Sequence, residues 1–579
     1  MTENSAYREM LNGVFQHSPY LFRSCLKESA LLASLLHRNL DELFNQVMDD
    51  LEQSAANAMP QAEMARLLRH TKRKAALLIA FGDISGIWPL KTVTNNLTRL
   101  ADRTVHHAFG QLLREAAAKG DLVLPNPDDP CAGSGLVVIA MGKMGAGELN
   151  YSSDIDLIVL YDQEIIDYHG RKSPTDFYSR ITRNMVRLMQ DLTADGYVFR
   201  TDLRLRPDPA ASPLALSMAA AENYYEALGQ NWERAAMIKA RACAGDLEAG
   251  NLFLDRLKPF VWRKFLDFAA INDIHSIKRQ INSHKGHNDI AIAGHDIKVG
   301  RGGIREIEFF AQTQQLIAGG RHPDLRNRTT IGALRSLAAS DRIEGRVLDD
   351  MKASYEHLRR VEHRLQMLDD AQTQKLPSEE DGLLRLSRFL GYEDTAPFAA
   401  DLVRHMKQVE QHYAALFEDE EPLTGDGGNL VFTGTDPDPE TVKTLAEMGY
   451  KTPEGVIQTV RGWHHGRYRA TASTRARELL TELVPELLRA VSQTQSPDMA
   501  LGSFDEKCRV LNHLTWSPIA TYDLPRRVDG STTVRCCGCV CPSLTTTHLA
   551  TAVQSKYVGT GHADTTKFEW VVNQHRDTA

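Results

Sequence analysis

The chain has 579 residues, 42% hydrophobic and 25% charged, a composition ordinary for a globular protein and a length sufficient for about four domains. Lys and Arg number 67 against 75 Asp and Glu, and the resulting net charge of −8 supplies no global basic field for nucleic acid or an anionic membrane. The longest clean apolar run, Leu136–Met141, falls far short of the ~18 residues of a bilayer span, and Met1-Thr2-Glu3-Asn4 opens no secretory leader; a cytoplasmic protein is expected.

Residues 1 to about 125 read as helical, with apolar runs at 31–36 and 75–80 among good helix formers. The basic run Arg66, Arg69, Lys72, Arg73 and Lys74 lacks interleaved aromatic residues for base stacking and is taken as a solvated helix face. Pro125–Pro130 is a turn-rich linker. Beyond it, residues 136–140 read as a buried strand, followed by a glycine-rich loop and a second strand at 155–161. Phe177, Ile181, Met185, Leu188 and Leu192 share one face of an amphipathic helix. Gly196 ends it, and 197–205 read as a third strand stopped by Pro207. From about 214 to 420 the chain is mostly helical, 421–440 is a second linker, and helical character resumes to about 488.

The chemistry concentrates in Met141–Leu157. Asp154 and Asp156 stand two apart at a strand start, so both project from one face while Ile155 points into the core. Paired carboxylates beside glycines form an oxygen-rich site for hard cations such as Mg²⁺, and two such ions can clamp the attacking and leaving oxygens of a phosphoryl or nucleotidyl transfer. The glycines let backbone N–H groups approach phosphate oxygens. Asp202 is the candidate third carboxylate, with Arg204 and Arg206 at alternate positions on its face, where they pair with phosphate oxygens or neutralise the acids. No Gly-Lys-Ser/Thr opens a helix, which excludes a Walker A loop, and no Rossmann fingerprint is present. Asp436-Pro437-Asp438, in the second linker, is given no role.

Gly142-Lys143, Gly145-Ala146-Gly147-Glu148-Leu149 and Ser153-Asp154-Ile155-Asp156-Leu157 resemble the DNA polymerase β-type nucleotidyltransferase superfamily, and within it the glutamine synthetase adenylyltransferase/adenylyl-removing family. Further blocks carry the resemblance: Phe199–Pro207, Ser212–Leu214, Trp232–Arg241, Asp296–Phe309 and Leu358–Gln366, together spanning roughly residues 20 to 500. The fold class it implies is α+β and predominantly helical, a polymerase β-like core of small mixed sheet and helices followed by a helical bundle. The segments expected are a helical region over 1–130, a catalytic core over 131–260, a bundle over 261–420 and the start of a regulatory region over 421–505.

Family enzymes carry two such units, one removing AMP from glutamine synthetase and one adding it. Gly302–Phe309 resembles the N-terminal, removing unit, because the other usually has Asp where Arg305-Glu306 stand. The resemblance therefore implies phosphorolysis: phosphate attacks the AMP phosphorus on a modified tyrosine and releases ADP. It implies Asp154, Asp156 and Asp202 as metal ligands, Gly142, Lys143 and Ser153 as nucleotide-phosphate contacts, glutamine synthetase as protein substrate and the PII signalling protein as regulator. AMP transfer from ATP to glutamine synthetase or another protein is the second reading, and a non-catalytic scaffold binding PII or glutamine synthetase the third.

Other polar groups read more plainly. Lys239 and Arg241, on an expected helix, reach either phosphate or a neighbouring carboxylate such as Glu233. Gly300–Gly303 opens a helix as an anion site or simply as a tight turn. Glu306 and Glu308 face different sides of that helix, and His363 with Glu362 fits a polar helix interface. Of eight cysteines, Cys25, Cys131 and Cys243 are isolated, whereas Cys508, Cys536, Cys537, Cys539 and Cys541 crowd the C-terminus. A zinc site built from these cysteines with His548 is conceivable but is not the expected reading. The segment 506–579 is expected to be an out-of-frame tail, which reading the coding DNA in its other frames beyond codon 505 decides.

Overall fold

A computed structural model describes residues 11–35, 37–263, 290–415, 430, 432, 439–464, 483–485 and 487–511. The expected tail beyond 511 and most of the 421–440 linker lie outside these residues. The chain divides into two units, 1–424 with 433–436, and 425–432 with 437–579.

The larger unit opens with helices α1 (Pro19–Lys27), α2 (Ser29–Leu35), α3 (Leu40–Ala55), α4 (Gln61–Ile84) and α5 (Leu90–Ala118). Asn39 caps α3, its side chain accepting the Glu42 N–H at 2.8 Å. Next come β1 (Leu136–Ala140), the short α6 (Gly142–Gly145), β2 (Asp154–Tyr161), α7 (Pro174–Gln190), β3 (Arg200–Asp202), β4 (Ala215–Ser217), α8 (Met218–Ala227), α9 (Asn231–Met237), β5 (Arg241–Gly245), α10 (Leu247–Arg256) and α11 (Lys258–Val261). The strands form one mixed sheet in the order β3-β2-β1-β5, with β4 also on β2; β1 is antiparallel to β2 and β5, and β2 is parallel to β3 and β4.

Both faces of this sheet are covered, which explains why β1 is a continuous apolar run rather than an alternating one. Leu136, Val138, Ile155, Leu157 and Val159 pack with the N-terminal helices and α7. Val137, Ile139, Ile158 and Leu160 pack with α8 to α11. A helical bundle follows, α12 (Ile304–Ala318), α13 (Thr330–Ala339), α14 (Gly345–Asp369), α15 (Glu380–Phe389) and α16 (Thr395–Ala415), built around Ile307, Phe310, Tyr355, Leu358, Phe398, Leu402 and Met406. The α+β, predominantly helical class holds.

Four sequence expectations are corrected. The third strand stops at Asp202 rather than running to 205, because residues 203–213 turn with Asp208 at φ 39° and the Arg206 guanidinium bonds the carbonyls of Leu203, Pro209 and Pro213. Arg204 and Arg206 therefore do not continue the face of Asp202 by strand alternation. The amphipathic helix ends at Gln190, leaving Leu192 80% exposed. Arg241 begins strand β5, not a helix, since α9 ends at Met237.

The basic run on α4 is the fourth. Arg66 is exposed, but Arg69 and Lys72 are buried, and Arg69 donates to the carbonyls of Ala65, Asp191 and Gly196. Lys72 lies 3.4 Å from Asp370 and over the rings of Tyr20 and Tyr197, while Arg73 pairs with Glu28 at 2.6 Å. These cations crosslink elements distant in sequence, which periodicity cannot reveal.

His363 and Arg364 of α14 both reach buried Asp83 of α4, at 2.8 and 3.2 Å, giving the polar helix interface expected at this block. Burial would raise the Asp83 carboxyl, but Arg364 and His363 overrule it and hold it at about 2. A depressed acid stabilises the fold above its unfolded value and loses that stabilisation as pH falls through its folded value. Asp83→Ala is expected to destabilise the larger unit by about 3–5 kcal/mol at pH 7, read from its urea midpoint, because two basic groups lose their buried anion.

The smaller unit has helices at Pro439–Glu447, Pro453–His464 and Pro497–Leu511 around Leu445, Ile457, Val460, Trp463 and Leu488, with the Trp463 indole donating to Asp505 at 2.7 Å. No helix among the described residues is long and apolar enough to cross a membrane.

Candidate active site

Parallel pairing of β2 with β3 sets Asp156 directly beside Asp202, and Asp154 beside Arg200. The carboxylate oxygens of Asp154, Asp156 and Asp202 consequently lie within 4.8 Å of one another. Ile155 is fully buried between the two acids of β2, so the strand's pleat holds both carboxylates on the opposite face. Burial raises the Asp156 carboxyl, and the charges of Asp154 and Asp202 add to the effect, pushing it to about 7. Asp202 is paired with Arg204, whereas among the described residues no cation stands within ion-pair distance of Asp154 or Asp156. Three crowded hard-oxygen donors, two of them without an ion-pair partner among the described residues, fit a divalent cation.

Gly142 is at φ +52°, and a Cβ there would stand 2.8 Å from Asp156 Oδ2. Only glycine lets the turn lie against the carboxylate. Gly142→Ala is expected to weaken the Mg²⁺ dependence of activity by roughly tenfold or more, since the residue must leave the left-handed region or displace Asp156. An unchanged Mg²⁺ titration would show that the turn does not set the carboxylate.

The remaining sequence candidates separate. Ser153 is half-buried at the entrance to β2. The Lys143 ammonium bonds Glu362 of α14 at 3.0 Å; burial draws it down to about 8 against the attraction of that carboxylate. Arg204 folds back on Asp202, and Arg206 clamps its own loop. Lys239 bonds Glu308 at 2.6 Å, and Arg241 bonds Asp102 at 2.9 Å. At the opening of α12 the Gly302 N–H is satisfied by Glu306 at 3.0 Å, so the turn is closed by its own helix.

The structure adds Gln372, which the sequence reading did not single out, and gives side chains of the Leu358–Gln366 block their partners. Gln372 donates to Asp154 at 2.6 Å. Gln366 accepts the Ser152 N–H at 2.8 Å, Arg359 donates to the Glu148 carbonyl at 2.6 Å, and Glu362 holds Lys143. Residues 359, 362 and 366 recur at helical spacing, so one face of α14 holds the loop leading into the carboxylates. Arg200 bonds the Ser152 hydroxyl at 2.9 Å from the neighbouring strand.

Residues 8–256 match the glutamate-ammonia ligase adenylyltransferase family, 275–417 match the GlnD PII-uridylyltransferase family, and 544–579 match splicing factor 3B subunit 10. A bifunctional glutamine synthetase adenylyltransferase/adenylyl-removing enzyme of Mesorhizobium japonicum is 48% identical over 502 residues, 86% of this chain and 51% of that protein. The enzymes of that name from Rhizobium meliloti and Agrobacterium fabrum are also 48% identical, covering 87% and 86% of this chain and 52% and 51% of theirs. The chain thus spans about half the length of these relatives.

Proposed function

We propose that this chain, a nucleotidyltransferase homologous to the glutamine synthetase adenylyltransferase/adenylyl-removing enzymes, removes AMP from adenylylated glutamine synthetase by phosphorolysis. The observation that carries the proposal is the meeting of Asp154, Asp156 and Asp202 beside the Gly142 turn in such a homologue. The Gly302–Phe309 wording, which resembles the removing unit, supports this direction.

Divalent ions held by the three carboxylates would neutralise phosphate charge and align the reacting oxygens. Gln372 fixes the rotamer of Asp154, Arg204 restrains Asp202, and Gly142 leaves room for Asp156. Phosphate is already anionic near pH 7, so no strong base is required, and positioning with charge neutralisation carries the catalysis. Gly142, Lys143 and Ser153 are the proposed nucleotide-phosphate contacts, with Arg204 held beside them on Asp202; Arg206 contributes by shaping its loop. ADP is the product, and PII is the proposed regulatory partner, in keeping with the match of residues 275–417.

The test mixes the protein with adenylylated glutamine synthetase, Mg²⁺ and phosphate and follows ADP, with Asp156→Asn as control. Release of AMP without phosphate, or full activity in the control, overturns the mechanism. The relatives' name also covers AMP transfer from ATP, and incorporation of labelled AMP into unmodified glutamine synthetase would favour that direction.

A further inference from the structure

The Asp296–Phe309 block supplies none of the three carboxylates. Its first residues form a short antiparallel ladder with the chain after α14: Ile297 N–H donates to Gln374 at 3.0 Å, Leu376 N–H donates to His295 at 2.8 Å, and Asp296 pairs with Lys375. Lys298 then enters a turn beside the segment that carries Gln372, whose amide holds Asp154. The Asp296 carboxylate accepts the N–H groups of Lys298 and Val299, both at 2.9 Å, and fixes the turn.

Lys298 is half-buried, yet its ammonium makes no hydrogen bond or ion pair among the described residues. The neighbouring cations are engaged: Lys143 with Glu362, Lys239 with Glu308, and Arg204 with Asp202. The charge of Lys298 acts on Asp156, Lys143, Glu308 and Glu362 together, so it stands among the carboxylates and the bundle's ion pairs. A half-buried cation fixed by its backbone and without a direct ion pair among the described residues is suited to a mobile oxyanion.

We propose that Lys298, with Lys143 beside it, forms an oxyanion subsite on the bundle side of the three carboxylates, and that this subsite receives the attacking inorganic phosphate. The inference rests on the phosphorolytic reading. An oxygen of hydrogen phosphate bonds the adenylyl phosphorus as the bond from that phosphorus to the tyrosine oxygen breaks. The electron pair leaves on the tyrosine oxygen, which takes the proton brought by hydrogen phosphate, giving ADP and free tyrosine. Lys298 holds the incoming phosphate in line and offsets its charge against that of the carboxylates.

The experiment measures initial rates of ADP formation by the full chain while phosphate and adenylylated glutamine synthetase are varied separately. Lys298→Met is expected to raise the KM for phosphate by about tenfold or more and leave the KM for the protein substrate unchanged, whereas Lys298→Arg restores part of the phosphate affinity. Equilibrium dialysis of labelled phosphate with Mg²⁺ gives a readout independent of turnover, and circular dichroism checks the fold. Phosphate-dependent ADP formation with an unaltered phosphate KM, or equal phosphate retention by wild type and Lys298→Met, overturns the subsite and leaves phosphorolysis standing. Phosphate-independent AMP release by the wild type instead overturns the phosphorolytic reading.

Discussion

Asp156→Asn is expected to lower ADP formation by on the order of 10³-fold while making the metal-free protein more stable at pH 8. The two effects share one cause. Asp156 is crowded by Asp154 and Asp202 and half-shielded from water, so burial and then the neighbouring charges push its carboxyl up to about 7. A raised acid binds its proton more tightly in the folded state than in the unfolded one. Stability is therefore greatest below the unfolded value near 4, declines as pH rises towards about 7, and stays reduced above it. Asparagine keeps the shape and removes the repulsion, which is expected to give about 1–2 kcal/mol at pH 8 in EDTA, after allowance for partial solvent screening.

Adding Mg²⁺ should reverse the order, because an ion that binds only the folded wild type stabilises it by mass action. Protons compete with the ion, so Mg²⁺ affinity should rise with pH up to about 7 and then level off. Thermal midpoints of both proteins at pH 5 and pH 8, with EDTA or Mg²⁺, test every sign. A variant less stable than wild type at pH 8 in EDTA would mean that the carboxylates do not repel one another.

The carboxylates were legible in the sequence for a local reason: Asp154 and Asp156 interrupt an apolar strand at its start, next to a glycine turn, and a period of two fixes their common face. Leu136–Ala140 and the helix at 174–190 were legible because burial on both faces, or on one helical stripe, leaves a strong pattern. The three-residue strands β3 and β4 carry too few residues for any period, so the first was read too long and the second passed unseen. Lys72, Glu362 and Gln372 act through partners far along the chain; Gln372 touches Asp154 across 218 positions. Such contacts exist only once α14 lies along the glycine-rich loop, and no local composition announces them.

The joint between α14 and that loop gives the second large effect. Glu362 is 1% exposed and lies 3.0 Å from Lys143 and 3.5 Å from Arg359. Burial would raise its carboxyl, but Lys143 and Arg359 hold it below its ordinary range, so the residue is ionised inside the protein. Glu362→Gln keeps the volume and deletes the charge, leaving a buried ammonium without its counter-ion. The expected loss is about 3–5 kcal/mol at pH 7, read from the urea midpoint of the larger unit. Removing both partners is predicted to be milder: Lys143→Met with Glu362→Leu should recover much of that loss, because a well-packed apolar pair needs no compensation in a dry interface. The double variant should nevertheless remain poor in ADP formation, since the oxyanion subsite has lost Lys143. Stability and catalysis would then part company in one molecule, and the coupling energy of the cycle would measure the ion pair itself. A double variant as unstable as Glu362→Gln would show that the carboxylate chiefly serves Arg359, whose guanidinium also binds the Glu148 carbonyl, and that the anchor of the catalytic loop is Arg359 rather than Lys143.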